Sequence, residues 1–400
     1  MSQPAEKNLP LAGIRVVEFV HMVMGPTCGL LLADLGAEVI KVEPVPEGDN
    51  TRRLMGSGAG YWLTYNRNKK SFAVDIKSEQ GMAALKKLLA TADVVTENFR
   101  PGAMDKLGLG YEGVKAIKPD IIYSSMKGFL PGPYEKRTAL DEVVQMMTGL
   151  AYMTGPVGRP LRAGASVNDV MGGMFSAVSV LAALLQRKQT GLGQFVQTGL
   201  FENSAFLMGQ HMMQKAVTGA AAAPMPSRIS AWAIYDVFET ATRDGQVFIG
   251  VVSDTQWVSF CQAFDFPDWS NDAGLARNNQ RVQARDQIMP LVRARIASMD
   301  KAAVMTLCEQ AGLPFSPIQR PEDLFEDRHL NESGGLAQLT LADGETVNVP
   351  MLPFEMDGQR FGTRLEVPDL GSHSRELLSE LGYDADTIDR FEAAGTIKCT

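Results

Sequence analysis

The 400-residue sequence has four cysteines, Cys28, Cys261, Cys308 and Cys399, all far apart. No CxxC or Cys/His spacing links them, which argues against a zinc site or a disulfide framework and fits a reducing compartment. Histidine is equally scarce: His21, His211, His329 and His373 form no cluster. With neither HExxH nor GxSxG present, hydrolysis by a metal or a Ser/His/Asp triad has no support. GxxxxGK[ST] is absent, which excludes Walker-type ATP chemistry. There is no Lys/Arg-rich run, and 38 basic against 46 acidic residues give a net charge of −8. A nucleic-acid binder needs a clustered positive surface that releases counterions, so none is expected as a partner. The first residues lack a basic region followed by an apolar stretch and a cleavage site, so the expected location is cytoplasmic. The longest uncharged apolar window, 170–185, falls short of the ~20 residues that span a bilayer and reads as a buried core helix.

Hydrophobic residues make up 45% and charged residues 21%, the balance of a globular protein with a large core. From Gly13 to Glu43 an apolar run (IRVVEFV), a Gly-Pro break, a helical pattern (CGLLLADLGA) and a second apolar run (EVIKVE) make a βαβ unit. FAVDI, MAALKKLLATA, DVVTEN and DIIYSSM continue the alternation. Runs apolar throughout suit strands buried on both faces, so the expected fold is α/β, a parallel sheet covered by helices. A long buried helix over 170–186, a strand FVQTGL and a helix over 201–217 follow. Near Ala220 the texture changes to AAAAPMPSRIS, a linker. This gives a large Rossmann-like domain over 1–222, a smaller α/β domain over 223–325 and a segment over 326–400 returning to the large domain. The smaller domain should open with a hairpin, AIYDVFET and QVFIGVV around Asp244-Gly245.

A βαβ unit whose second strand ends in Glu43 suggests a nicotinamide enzyme, but the first turn, HMVMGPTCG, has no GxGxxG, and Pro26 removes an amide that a pyrophosphate would need. With triads and metals unsupported, carboxylates remain as nucleophiles. Asp169 stands out: RAGASVN precedes it and a long uncharged helix follows. At a helix N-terminus such a carboxylate reads either as an N-cap or as an ionised nucleophile, and the two are compatible. A second group is basic and amide-rich: NRNKKS, ENFRPGAMDKLG and MKG, at strand ends or in loops leading into strands. Arg67, Lys69, Lys70, Arg100 and Lys127 read either as an anion site or as a solvated loop surface.

Together LAGIRVVEF, GPTCGLLLADLGAEVIKVEP, GDNTR, NRNKKSFAVDIKSEQG, ADVVTENFRPGAMDKLG, SSMKGF and GASVNDVMGGM resemble the class III coenzyme A-transferase family, of formyl-CoA transferase and carnitine CoA-transferase type. The resemblance implies two two-domain protomers interlocked as rings in a homodimer, with no permanently bound cofactor and with CoA and acyl-CoA as cosubstrates. The family's catalytic aspartate corresponds to Asp169 and its second acidic position to Asp141. Its CoA contacts correspond to Asn98, Phe99, Arg100 and Met104, with Lys127, Arg67, Lys69 and Lys70 nearby. Backbone amides in the turn holding His21, Val23 and Gly25, and at Asp169, are the expected oxyanion donors.

The implied reaction moves CoA from an acyl-CoA, succinyl-CoA by expectation, to a free carboxylic acid through mixed anhydrides and an aspartyl-CoA thioester. The family also contains 2-methylacyl-CoA racemases, which use a His-Asp pair where this chain has Leu140-Asp141; leucine cannot shuttle a proton. Oxalate-using members carry glutamine at Val23, tryptophan at Arg53-Leu54 and tyrosine at Leu140, which weighs against oxalate. Arg52, Arg53, Arg137, Arg162 and Arg228 offer partners for a second carboxylate, so the expected acceptor is a C4–C6 dicarboxylate such as mesaconate, itaconate or glutarate.

Overall fold

The structure is a computed structural model that describes residues 9–228, 230–341 and 343–400. The chain forms two compact units: one takes it up to Pro226 and again over Arg328–Thr400, the other is Ser227–Asp327.

In the first unit the order is β1 (Arg15–Phe19), α1 (Met24–Asp34), β2 (Glu38–Glu43), α2 (Tyr61–Tyr65), β3 (Lys69–Val74), α3 (Glu79–Ala90), β4 (Val94–Glu97), α4 (Ala103–Lys106), α5 (Tyr111–Ile117) and β5 (Ile122–Lys127). Then come α6 (Asp141–Thr148), α7 (Leu150–Thr154), α8 (Val167–Thr190), β6 (Gln194–Gly199) and α9 (Leu200–Thr218).

The second unit holds β7 (Tyr235–Glu239), β8 (Gln246–Gly250), α10 (Asp254–Ala263), α11 (Pro267–Ser270), α12 (Asn278–Gln283), α13 (Arg285–Ala297), α14 (Lys301–Gln310) and β9 (Phe315–Pro317). Its sheet, β7-β8-β9, is antiparallel. Asp244, at φ 54, takes the left-handed conformation that the hairpin turn requires. Phe238, Ile249, Trp257, Phe260 and Val292 form its core.

The returning segment adds α15 (Arg328–Glu332), a hairpin of β10 (Leu336–Thr340) and β11 (Thr346–Pro350), α16 (Ser374–Glu380), α17 (Ala385–Ala393) and β12 (Ile397–Lys398).

The main sheet has the order β12-β3-β2-β1-β4-β5-β6. All its pairings are parallel except β12 on β3, an antiparallel edge of two residues that the sequence reading did not anticipate. Adjacent residues of β1 face opposite ways. Val16 joins Leu32, Ala177 and Val180 on the α1/α8 side, and Val17 joins Leu85, Leu88 and Leu377 on the α3/α16 side. This two-sided burial is why the strand is apolar throughout. Strand order reverses between β1 and β4, the switch point at whose carboxyl edge open α/β sheets bind ligands.

The expectation of a buried helix over 170–186 needs correction. Within that span only the Gly172, Gly173, Ser176, Ala177, Val180 and Ala183 stripe of α8 is buried. Met174, Phe175, Val178 and Leu185 are exposed on the same helix, as are Phe206, Met212, Met213 and Val217 on α9. By length and composition α8 is also apolar enough to cross a membrane. Within its unit, however, its small-residue stripe packs on α1: a Cβ on Gly173 would lie 2.6 Å from Thr27 Cβ and 2.7 Å from the Met24 carbonyl oxygen.

Candidate active site

The turn after β1 is held from several sides. Asn98, just past β4, accepts a hydrogen bond from the His21 amide (3.0 Å) and donates to the His21 carbonyl (2.9 Å). Its approach depends on Gly25, where a Cβ would stand 2.5 Å from Val20 Cβ and 3.0 Å from Asn98 Cγ. Met22 has φ 62, and its amide donates to Thr51 Oγ1 (2.9 Å). Thr51 is fixed by Asp49, which accepts from its amide and hydroxyl. Fully buried Lys41 joins Asp49 (2.9 Å) to the Val20 carbonyl (2.6 Å). This buried relay holds a residue in a sparsely populated conformation, as recurs at functional sites. The GDNTR segment therefore braces the first turn, a role that Lys41, Asp49 and Thr51 did not reveal in sequence.

The amides of His21 and Met22 are thus already bonded and do not serve an oxyanion. Val23, Met24 and Gly25 open α1, where amides lack intrahelical acceptors. Among the described residues none of these three amides has an acceptor. The Val23 side chain is buried, as is Gly25. The His21 ring sits 5.3 Å from that of half-exposed Phe99, and burial holds its imidazole below the usual histidine range.

Asp169 lies in the first turn of α8 as its third residue; Ser166, not Asp169, occupies the cap position. The capping is done by Asp141, whose Oδ2 accepts from the amides of Asn168 (2.8 Å) and Asp169 (3.1 Å). Its Oδ1 accepts from Gln145 Nε2, and Gln145 Oε1 accepts from the Ala163 amide (2.8 Å). The Asp169 amide is therefore used for holding the helix, which removes it from the expected oxyanion donors. Its carboxylate is half-buried. Burial first, and then the charge of Asp141, push its pKa from 3.8 to about 7 against the pull of Arg162. Asp169 thus titrates near neutrality, where nucleophiles and bases operate. Tyr61 reaches Ser166 Oγ (3.4 Å), and Tyr65 feels the Asp169 charge, so α2 contributes a wall that the sequence reading missed.

The basic cluster divides. Asn98, Phe99, Arg100 and Lys127 lie at the carboxyl edge of β4 and β5, where Lys127 lines a crevice with Glu97, Pro101, Met104, Tyr111 and Phe129. Arg100 is exposed there, whereas Lys127 is held by both Glu97 oxygens (2.6 and 2.7 Å) and by the Phe99 carbonyl (2.6 Å). Met104 is buried, packing into the core on one side and lining this crevice on the other. NRNKK lies at the opposite, amino end of β3, and the expectation of an anion site there is corrected. Arg67 is buried against Asp34 (2.6 Å), Lys69 against Glu18 (2.9 Å), and Lys70 joins Glu38 (2.9 Å) and Glu376 (2.6 Å). Charge in a loop sequence does not reveal which end of a parallel strand it occupies.

A family model described as CoA-transferase family III matches residues 11–374. Succinyl-CoA:glutarate CoA-transferase of Mus musculus is 32% identical over 396 residues, 97% of this chain and 90% of the relative. Succinyl-CoA:mesaconate CoA-transferase of Haloarcula hispanica is 31% identical, covering 94% of this chain and 98% of the relative. A crystal structure of a CAIB/BAIF family protein from Brucella suis, 31% identical, superposes with a TM-score of 0.82 over 94% of this chain and 100% of that one. The chain belongs to CoA-transferase family III.

Proposed function

We propose that the protein transfers coenzyme A from succinyl-CoA to a dicarboxylic acid, with Asp169 as the covalent carrier. The observation that carries this reading is the frame around Asp169. The residue sits on the first turn of α8, with its backbone amide held by Asp141 and its carboxyl titrating near pH 7. The gap left by Gly173 brings that helix against the start of α1, whose first amides have no acceptor among the described residues.

An Asp169 oxygen attacks the thioester carbonyl of the donor, the C–S bond breaks, and a mixed anhydride and CoA thiolate result. The thiolate attacks the aspartyl carbonyl, expels the donor acid and leaves an aspartyl-CoA thioester. The acceptor carboxylate then runs the same two steps in reverse, regenerating Asp169. Dividing the displacement in this way keeps the thioester energy throughout, so no ATP enters. The amides of Val23, Met24 and Gly25 suit the oxyanions because helix-terminal N–H groups are donors already oriented. Asp141 acts as a positioning residue: its oxygens are bonded to the Asn168 and Asp169 amides and to Gln145, which leaves it poorly suited to remove a proton. Phe99, Arg100 and the crevice beside them supply the CoA-facing surface.

We also propose a homodimer of interlocked protomers, supported by the uncovered apolar faces of α8 and α9. A cytoplasmic location is supported by four free thiols. The test of the function is a panel of mono- and dicarboxylic acids with succinyl-CoA and acetyl-CoA, read by mass spectrometry. Dicarboxyl-CoA products formed from succinyl-CoA support the reading; an enzyme that exchanges no thioester in the panel refutes it.

A further inference from the structure

Five arginines suggest themselves as partners for a second carboxylate, and the structure separates them. Arg52 is bound bidentately by Glu43 (2.7 and 2.8 Å), donates to the Pro368 carbonyl and stacks 3.7 Å over Trp62. Arg53 donates to Asn50 and to the Glu47 carbonyl. Arg137 lies over the rings of Tyr134 and Phe129. Arg228 belongs to the second unit.

Arg162 differs in position and in partner. It lies in the loop leading into α8, and the next residue, Ala163, is tied to Gln145, which is tied to Asp141, which holds the Asp169 amide. The backbone beside Arg162 is therefore tied to that of Asp169 by a short chain of hydrogen bonds through two buried side chains, Gln145 and Asp141. Arg162 is also the cation whose charge acts on Asp169. Its Nε donates to the Ala163 carbonyl (3.0 Å) and its Nη1 to Glu142 Oε1 (2.6 Å), while Nη2 has no partner among the described residues. Both partners of the Arg162–Glu142 pair are solvent-accessible, at 38% and 57%. An ion pair this exposed is weak and exchangeable.

A dicarboxylate entering this site brings a second negative charge beside Asp169, Asp141 and Glu142, and like charges in a partly buried site repel unless a cation answers them. We infer that Arg162 is the specificity-determining residue that receives the distal carboxylate of the dicarboxylic substrate, and that Glu142 holds its guanidinium in place until that carboxylate displaces it. The inference rests on the CoA-transfer reading and assigns its substrate class to one side chain. A guanidinium suits the task because its planar fork matches a carboxylate bidentately.

The test compares the wild-type protein, Arg162→Gln, Arg162→Lys and Glu142→Gln with glutarate and with pentanoate, the same chain length lacking the second carboxylate. Labelling of Asp169 from succinyl-CoA and from butyryl-CoA is followed in parallel. Arg162→Gln should lower kcat/KM for glutarate about 10- to 150-fold, the worth of a hydrogen-bonded charged pair, and leave pentanoate within about 2-fold. Labelling should fall for succinyl-CoA and hold for butyryl-CoA. Arg162→Lys should recover part of the loss. Glu142→Gln removes the competitor and should lower the KM for glutarate about 2- to 5-fold. Equal losses for both acids, or undiminished glutarate transfer in Arg162→Gln, would overturn the assignment of Arg162 while leaving CoA transfer intact. A wild-type protein that labels from neither thioester would take down the transfer reading and this inference together.

Discussion

Replacing Asp169 by asparagine should make the protein more stable at neutral pH while abolishing transfer. The carboxyl stands at about 7, not 3.8, because burial and Asp141 disfavour its charge more than Arg162 favours it. A folded-state pKa above the unfolded one means that between pH 3.8 and about 7 the folded chain keeps a proton that the unfolded chain loses. Stability therefore falls with rising pH across that window and levels off above it. At about 1.4 kcal/mol per pH unit the ceiling is about 4 kcal/mol. Water reaching a half-buried carboxylate screens part of this, which leaves about 1–3 kcal/mol. Asparagine is nearly isosteric and uncharged, so it removes this term at every pH. Urea unfolding at about pH 5 and about pH 8 reads the effect: the variant's gain should be larger at the higher pH. A variant no more stable than wild type at the higher pH, or equally more stable at both, would refute the reasoning.

Asp141→Asn keeps an acceptor for the α8 amides but removes the neighbouring charge. The acid limb of kcat/KM against pH, set by Asp169, should move to lower pH; an unmoved limb would contradict the coupling. Gly173→Ala places a Cβ against Thr27 and the Met24 backbone, with no flexible end to yield. It should cost about 1–3 kcal/mol in thermal or urea unfolding, and a variant as stable as wild type would show that the helices do not touch there. Lys69→Met leaves Glu18 buried without its partner. It should destabilise by about 3–5 kcal/mol, with the KM for acyl-CoA unchanged in the folded fraction, whereas a specific rise in KM would restore Lys69 to the CoA site.

What the sequence discloses about this molecule follows from how local each cause is. The β1, β2 and β4 runs are legible because burial on both faces leaves no room for alternation, and the β7–β8 turn because Asp244-Gly245 favours a left-handed conformation. Asp169 is legible as a carboxylate at the start of a long helix. Its cap is not, because the capping side chain comes from Asp141, 28 residues earlier. The Asn98 clamp spans 77 residues and depends on Gly25 having no side chain, so neither half signals the other. The two-residue β12 is too short to carry a pattern. Arg67 and Lys69 mislead for a different reason: an internal ion pair and a ligand-binding cation have the same composition, and only strand direction and burial separate them.

The proposed chemistry stands or falls with Asp169 as the carrier of CoA. The decisive experiment incubates the protein with succinyl-CoA, quenches with hydroxylamine and maps the peptides by mass spectrometry. A hydroxamate should form on Asp169, depend on acyl-CoA and be absent in Asp169→Asn. Sustained CoA transfer with an unmodified Asp169, or with the adduct on another side chain, would contradict that role.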